Sequence, residues 1–139
     1  MTVEPLNIDD YDALLALWDH TGLPYEKEDR DSRASIERQI FDDNIIILTL
    51  KHEGRLIGSS IGSSDGRKGW INRVAVEPEF RGKRLAARLI EKTEAFLAGK
   101  GVRVIGALIE DQNFPSMSAF RHCDYEGWDK IVYFRKKLK

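Results

Sequence analysis

Cysteine is almost missing from this chain: of 139 residues only Cys123 carries a thiol, so no internal disulfide can form. A lone cysteine fits a reducing compartment, and a cytoplasmic location is the expectation. Long apolar runs are missing too. No stretch approaches the ~20 residues needed to cross a bilayer, so a membrane is not expected as a partner. Residues 1–5 lack a basic region followed by an apolar one, and a signal peptide is not expected. Charge of one sign is not in excess either: 22 basic and 23 acidic residues leave a net −1. That balance gives no general pull toward nucleic acid. His20, His52 and His122 are scattered without the spacing of a metal site, and no metal is expected.

What is present suits one folded domain over residues 1–139, with 42% hydrophobic and 32% charged residues. Tyr11, Leu14, Leu15 and Trp18 fall at helical spacing and predict a helix over residues 9–19, stopped by Thr21-Gly22-Leu23-Pro24. Asp31 or Ser32 can cap a second helix whose apolar side is Ile36, Ile40 and Phe41. From Ile45 the period changes to that of strands. Residues 45–50, 56–63 and 70–76 are separated by Glu53-Gly54 and Ser64-Asp65-Gly66, which reads as an antiparallel meander. Glycines in the second strand allow another element's backbone to come close. A helix then runs to about Ala98, and residues 102–109 are a nearly continuous apolar run, expected of a strand buried on both faces. Such a strand–helix–strand succession forms a parallel crossover. Pro115 opens a further helix ending near Cys123, and residues 125–128 and 131–134 are expected as a last strand pair. An α/β domain results.

The stretch that carries chemistry is Val74-Ala75-Val76-Glu77-Pro78-Glu79-Phe80-Arg81-Gly82-Lys83-Arg84-Leu85-Ala86-Ala87. It reads as a strand, a break at proline, a basic turn and a helix start. The first N–H groups of a helix lack internal partners and its dipole favours negative charge, so an anion suits the place. The same turn also fits an ordinary strand-to-helix connection with a solvated basic end. It is neither a P-loop nor a dinucleotide fingerprint, because both glycine patterns are missing.

Joined to Asn113, Ser116, Ala119 and Phe120 after the later strand, this stretch closely resembles the GNAT superfamily of acyl-CoA N-acyltransferases. The family pattern is a Leu-Ala-Val-like strand, a proline, an aromatic residue and R/Q-x-x-G-x-G/A at a helix start, followed later by an Asn and a short helix. The resemblance implies the GNAT fold: a mixed, mostly antiparallel central sheet with flanking helices, whose central parallel strand pair splays at the cofactor site. It implies acetyl-CoA as co-substrate and transfer of its acetyl group to a primary amine, on a small metabolite or a protein terminus or lysine. It further implies main-chain contacts to pantetheine from Val74, Ala75 and Val76, and a pyrophosphate held by Arg81, Gly82, Lys83, Arg84, Leu85, Ala86 and Ala87. Asn113 would bond to the pantetheine arm, Phe120 would lie beside it near the thiol, and Ser116 would belong to the same cofactor site. Members of the family often pair through their C-terminal strands, so a homodimer is among the expectations.

Three departures stand out. Arg84 occupies the motif's middle glycine position; backbone donors survive this if the turn stays helical. Phe120 replaces the tyrosine that often protonates the departing thiolate, so the reaction needs no acid or Tyr125 or Tyr133 substitutes. Leu108 stands where relatives that act on ribosomal-protein termini carry a catalytic glutamate. The attacking amine must also lose a proton, since an ammonium cannot attack a thioester. Glu110, just past the apolar strand, is the first candidate base, and Asn72 could position a water for the same purpose. A solvated surface role for Glu110 is the competing reading. A non-catalytic acyl-CoA-binding module of the same fold is the alternative function.

Overall fold

The computed structural model describes residues 1–138, and Lys139 lies outside the described residues. In chain order it holds β1 (Thr2–Pro5), α1 (Tyr11–Thr21), α2 (Arg33–Ile40), β2 (Ile45–His52), β3 (Arg55–Ser64), β4 (Gly69–Val76), α3 (Leu85–Gly99), β5 (Ile105–Gly106) and α4 (Phe114–His122). Single 3-10 turns at Ile8–Asp10 and Pro78–Phe80 precede α1 and α3.

Local chemistry sets most boundaries. Asn7 accepts from the Asp9 N–H at the entry to the first turn, and Gly22, left-handed at φ 76°, closes α1. The Ser32 hydroxyl accepts from the Ser35 N–H and starts α2. Glu53 and Gly54 both have positive φ, as a two-residue hairpin between β2 and β3 requires.

The strands lie in the order β1-β2-β3-β4-β5, antiparallel except for the parallel pair β4–β5. Alternation along the strands sends their side chains to opposite faces. On one face α1 packs through Leu14, Leu17 and Trp18 with Ile47, Leu56 and Ala75 of the sheet. On the other, Leu85 and Leu89 of α3 meet Leu48, Leu50, Ile57 and Val76, while Ile90, Leu97 and Phe120 join Ile71 and Val74. The glycines do admit a neighbour closely. A Cβ on Gly58 would meet Leu89 Cδ1 at 3.1 Å, and one on Gly69 would meet Leu97 Cδ1 at 3.0 Å.

Two expectations need correction. The strand expected over residues 102–109 is paired only at Ile105 and Gly106, opposite Gly69 and Trp70. It is not buried on both faces, since Val104 is 55% and Leu108 54% exposed, and β5 is the sheet's edge strand. Nor do residues 125–134 form a strand pair. Trp128, Ile131, Val132, Tyr133 and Phe134 are exposed and belong to no ladder. Their β-rich composition gives a readiness to pair, but pairing needs a free edge aligned with them.

Candidate functional site

After Trp70 pairs with Gly106, β4 and β5 part, leaving residues 72–76 of β4 without a ladder partner on that side. One residue beyond Asn72 the strand kinks. Ile61 faces Asn72 and Ser59 faces Ala75, so two residues of β4, Arg73 and Val74, share a single opposite position. Arg73 takes the extra turn in a left-handed conformation at φ 56°.

A cleft of about 390 Å³ opens along this free edge. Its floor is Val74, Ala75 and Val76; one end is Phe80, Arg81, Gly82, Arg84 and Leu85–Ala87; its walls are Pro115, Ser116, Ser118 and Ala119 with Asn113 and His122 on one side, Thr21 and Leu23 on the other. Leu85 opens α3 there. The first bond inside the helix runs from Arg88 N to Arg84 O, and no side chain caps the end, so the N–H groups of Leu85, Ala86 and Ala87 have no helical partner. Arg81 lies at the mouth and its Nε donates to the Val76 carbonyl at 3.2 Å, fixing the strand's end to the turn.

The turn is not helical at Arg84, contrary to expectation: Arg84 is left-handed at φ 60° and ψ 24°. Gly82 is left-handed too, at φ 82°. The arginine therefore adopts the conformation for which a glycine would serve better, and the helix starts one residue later.

The other expected site residues divide. Asn113 lines the cleft, and its Oδ1 accepts from the Ser116 N–H as the cap of α4, leaving its amide NH₂ as the free end. Ser116 Oγ lies 3.5 Å from the Val74 carbonyl it can donate to. Lys83 does not line the cleft; its Nζ lies 5.5 Å from the centre of the Phe80 ring. Phe120 does not line the cleft either; it is buried against Ile71 and the floor residue Val74. Nor does Tyr125 line it. Its ring stands edge-on to Phe120 and its hydroxyl donates to Glu94 Oε2 at 2.7 Å. Burial first, and the Glu94 bond second, push that phenol far above its usual 10.0. A hydroxyl so engaged makes a poor proton donor to the cleft, and the role expected of Tyr125 is set aside. Asn72 is half-buried on the kinked strand and Glu110 is exposed beyond β5. Burial also raises the Cys123 thiol, with Glu91 and Glu94 adding to it, so it stays protonated at neutral pH rather than acting as a nucleophile.

Two arrangements gave no sign in the sequence. Glu77, directly after β4, is 5% exposed and lies between His20 Nδ1 at 2.8 Å and Arg55 Nη2 at 3.3 Å. Asp31 and Arg73, far apart in the chain, form an ion pair of 2.9 Å. Among the described residues no cluster of His, Cys, Asp and Glu could hold a metal ion.

A model of the acetyltransferase (GNAT) family matches residues 11–125, from the start of α1 to the residues just past α4. The chain belongs to this family. An acetyltransferase from Sodalis glossinidius is 27% identical over 140 residues, covering 99% of this chain and 96% of that protein. The fold matches aminoglycoside 6'-N-acetyltransferase AAC(6')-Ig from Acinetobacter haemolyticus with a TM-score of 0.79, 17% identity and full coverage of both chains. It also matches AAC(6')-Iy in complex with the bisubstrate analogue CoA-S-monomethyl-acetylneamine, at TM-score 0.79 and 18% identity over 99% and 98% of the two chains. As a GNAT member the chain is an acetyl-CoA-dependent N-acetyltransferase. The residues present fit that co-substrate, because the cleft joins an open strand edge, which can pair with amides, to unpartnered helix N–H groups suited to phosphate.

Proposed function

We propose that residues 1–139 form one domain that passes the acetyl group of acetyl-CoA to a primary amine by direct attack in a ternary complex. The amine belongs to a small metabolite or to a protein terminus or lysine. The observation that supports this reading best is the continuity of the free edge at Val74–Val76 with the uncapped start of α3.

The pyrophosphate is held by N–H groups from Gly82 to Ala87, with Arg81, Lys83 and Arg84 adding positive charge around it. The amides of pantetheine pair with the main chain of Val74 and Val76. Asn113 offers its free NH₂ to the arm, and Ser116 its hydroxyl. As the amine nitrogen bonds to the thioester carbonyl carbon, charge develops on the carbonyl oxygen, and a main-chain N–H at the kink of β4 stabilises it. The C–S bond then breaks and CoA leaves as a thiolate. A thiol ionises near pH ~8.5, so this step needs no tyrosine. The amine proton passes to water held by Asn72 or to Glu110.

A panel of amines incubated with the protein and acetyl-CoA, with free thiol release followed against time, tests this reading. Amine-dependent thiol release is expected. Binding of CoA with no transfer to any amine would make the chain a carrier module instead.

The same proposal extends to assembly and place. The exposed apolar stretch at residues 128–134 supports pairing of two copies, each covering the other's strand-like segment. Sedimentation at micromolar concentration should then give twice the 15.9 kDa chain mass. The unpaired Cys123 supports a cytoplasmic location. No helix among the described residues is long and apolar enough to cross a membrane.

A further inference from the structure

The ion pair between Asp31 and Arg73 joins the segment between α1 and α2 to the kink of β4, two stretches far apart in the chain that each lead to the cleft. Arg73 is the residue on which β4 kinks, and its carbonyl accepts from Ser59 Oγ at 2.7 Å. Ser59 Oγ in turn accepts from Trp18 Nε1 at 3.1 Å. The Arg73 guanidinium lies 5.2 Å from the centre of the Trp18 ring, and its Nη2 donates to Asp31 Oδ2 at 2.9 Å. Its buried Nε has no hydrogen-bond partner among the described residues. Asp31 is 4% exposed and sits at the far end of the segment between α1 and α2, where its Oδ2 also accepts from the Glu26 N–H at 2.8 Å. The Tyr11 hydroxyl donates to its carbonyl at 2.6 Å. That segment begins with Leu23 on the cleft wall facing α4.

We propose that Asp31 and Arg73 are a positioning pair that fixes the segment between α1 and α2, which brings Leu23 to the acceptor-side wall, to the kinked stretch of β4 where the acetyl carbonyl lies. The proposal rests on the acetyl-transfer reading above. Neither side chain reaches the reacting atoms. Their effect is on distance, because the wall sets where the amine stands and the kink sets where the carbonyl stands. A left-handed arginine is also a cost the strand would otherwise shed. Its persistence beside a buried carboxylate and a stacked tryptophan means that the surrounding contacts outweigh that cost. A buried charge pair is weak as a source of stability but strong as a constraint on geometry.

Arg73→Gly tests this, since glycine accepts the left-handed backbone while removing the link. The expected result is an acceptor KM raised by about tenfold or more, with the acetyl-CoA KM within about twofold of the unsubstituted protein. Arg73→Lys keeps a charge within reach of Asp31 and should recover part of the loss. A folded Arg73→Gly with an unchanged acceptor KM overturns the proposal, as does a rise in both KM values in step. Should the glycine variant not fold, Asp31→Asn removes the carboxylate charge from the same link, and an unchanged acceptor KM in that variant overturns the proposal equally. Absence of transfer by the unsubstituted protein to every amine defeats the acetyl-transfer reading itself, and the positioning role with it.

Discussion

Gly62 of β3 lies directly under Thr93 of α3, so close that a Cβ at residue 62 would collide with the Thr93 Cγ2 methyl. Thr93 is fully buried; its hydroxyl meets Ser60 Oγ at 2.8 Å and donates to the Leu89 carbonyl at 2.8 Å. The helix that presents its N–H groups to the cleft is thus seated on glycine. Gly62→Ala should destabilise the fold by about 1–3 kcal/mol through overpacking. Adding Thr93→Ser, which deletes the methyl and keeps the hydroxyl, should restore most of that loss. Chemical denaturation of the single and double variants reads the coupling.

Arg84 and Gly82 both occupy left-handed backbone, but only one of them is suited to it. Arg84→Gly removes roughly 1–2 kcal/mol of left-handed cost and returns up to about 1 through the freer unfolded chain, so a small net gain in stability is expected. CoA affinity should fall only by the loss of one exposed cation, since the N–H donors remain. Thermal melting and calorimetry on the same sample check both halves.

Tyr125 gives a pH-dependent outcome. Its folded phenol ionises above the usual 10.0. A group raised on folding contributes fully below its unfolded value and loses that contribution as pH rises through and past it. Stability should therefore drop from about pH 10 upward. Tyr125→Phe should cost about 1 kcal/mol at neutral pH for the lost bond to Glu94, and should make the alkaline drop shallower. Denaturant midpoints across pH 7–11 measure it. Transfer activity at neutral pH should stay close to that of the unsubstituted protein, because the hydroxyl is engaged outside the cleft.

Gly82→Pro forces φ near −65° where the turn needs 82°. Arg81→Ala removes the bond from the guanidinium to the Val76 carbonyl together with a charge. Both should weaken CoA by about tenfold or more, and should weaken CoA binding more than they weaken folding, the expected pattern when a helix start is the anion site. Equal CoA affinity in either folded variant would remove the pyrophosphate assignment.

The sheet, its helices and the stretch that lines one end of the cleft are legible in the sequence because their signals are local. Hydrophobic period marks the strands and helices, Gly22 and Ser32 mark their ends, and Val74–Ala87 carries its motif in one run. The misses share a different cause. Whether residues 102–109 and 125–134 pair depends on which edges are free, and that is decided by the whole sheet. Arg84 shows a left-handed turn only once the backbone is built, since arginine gives no hint of it. Glu77, with His20 and Arg55, and Asp31, with Arg73, are pairs made by tertiary approach. The place of Phe120 follows from the resemblance alone, and its burial against Ile71 and Val74 depends on how α4 packs.

An amide-resolved NMR titration with CoA tests the central claim most directly. The account predicts that the largest shifts fall on the N–H groups of Gly82, Leu85, Ala86 and Ala87, followed by Val74 and Val76, and that they saturate together. Shifts confined to the second hollow around Ala13, His20 and Leu56, with residues 82–87 unmoved, would contradict it.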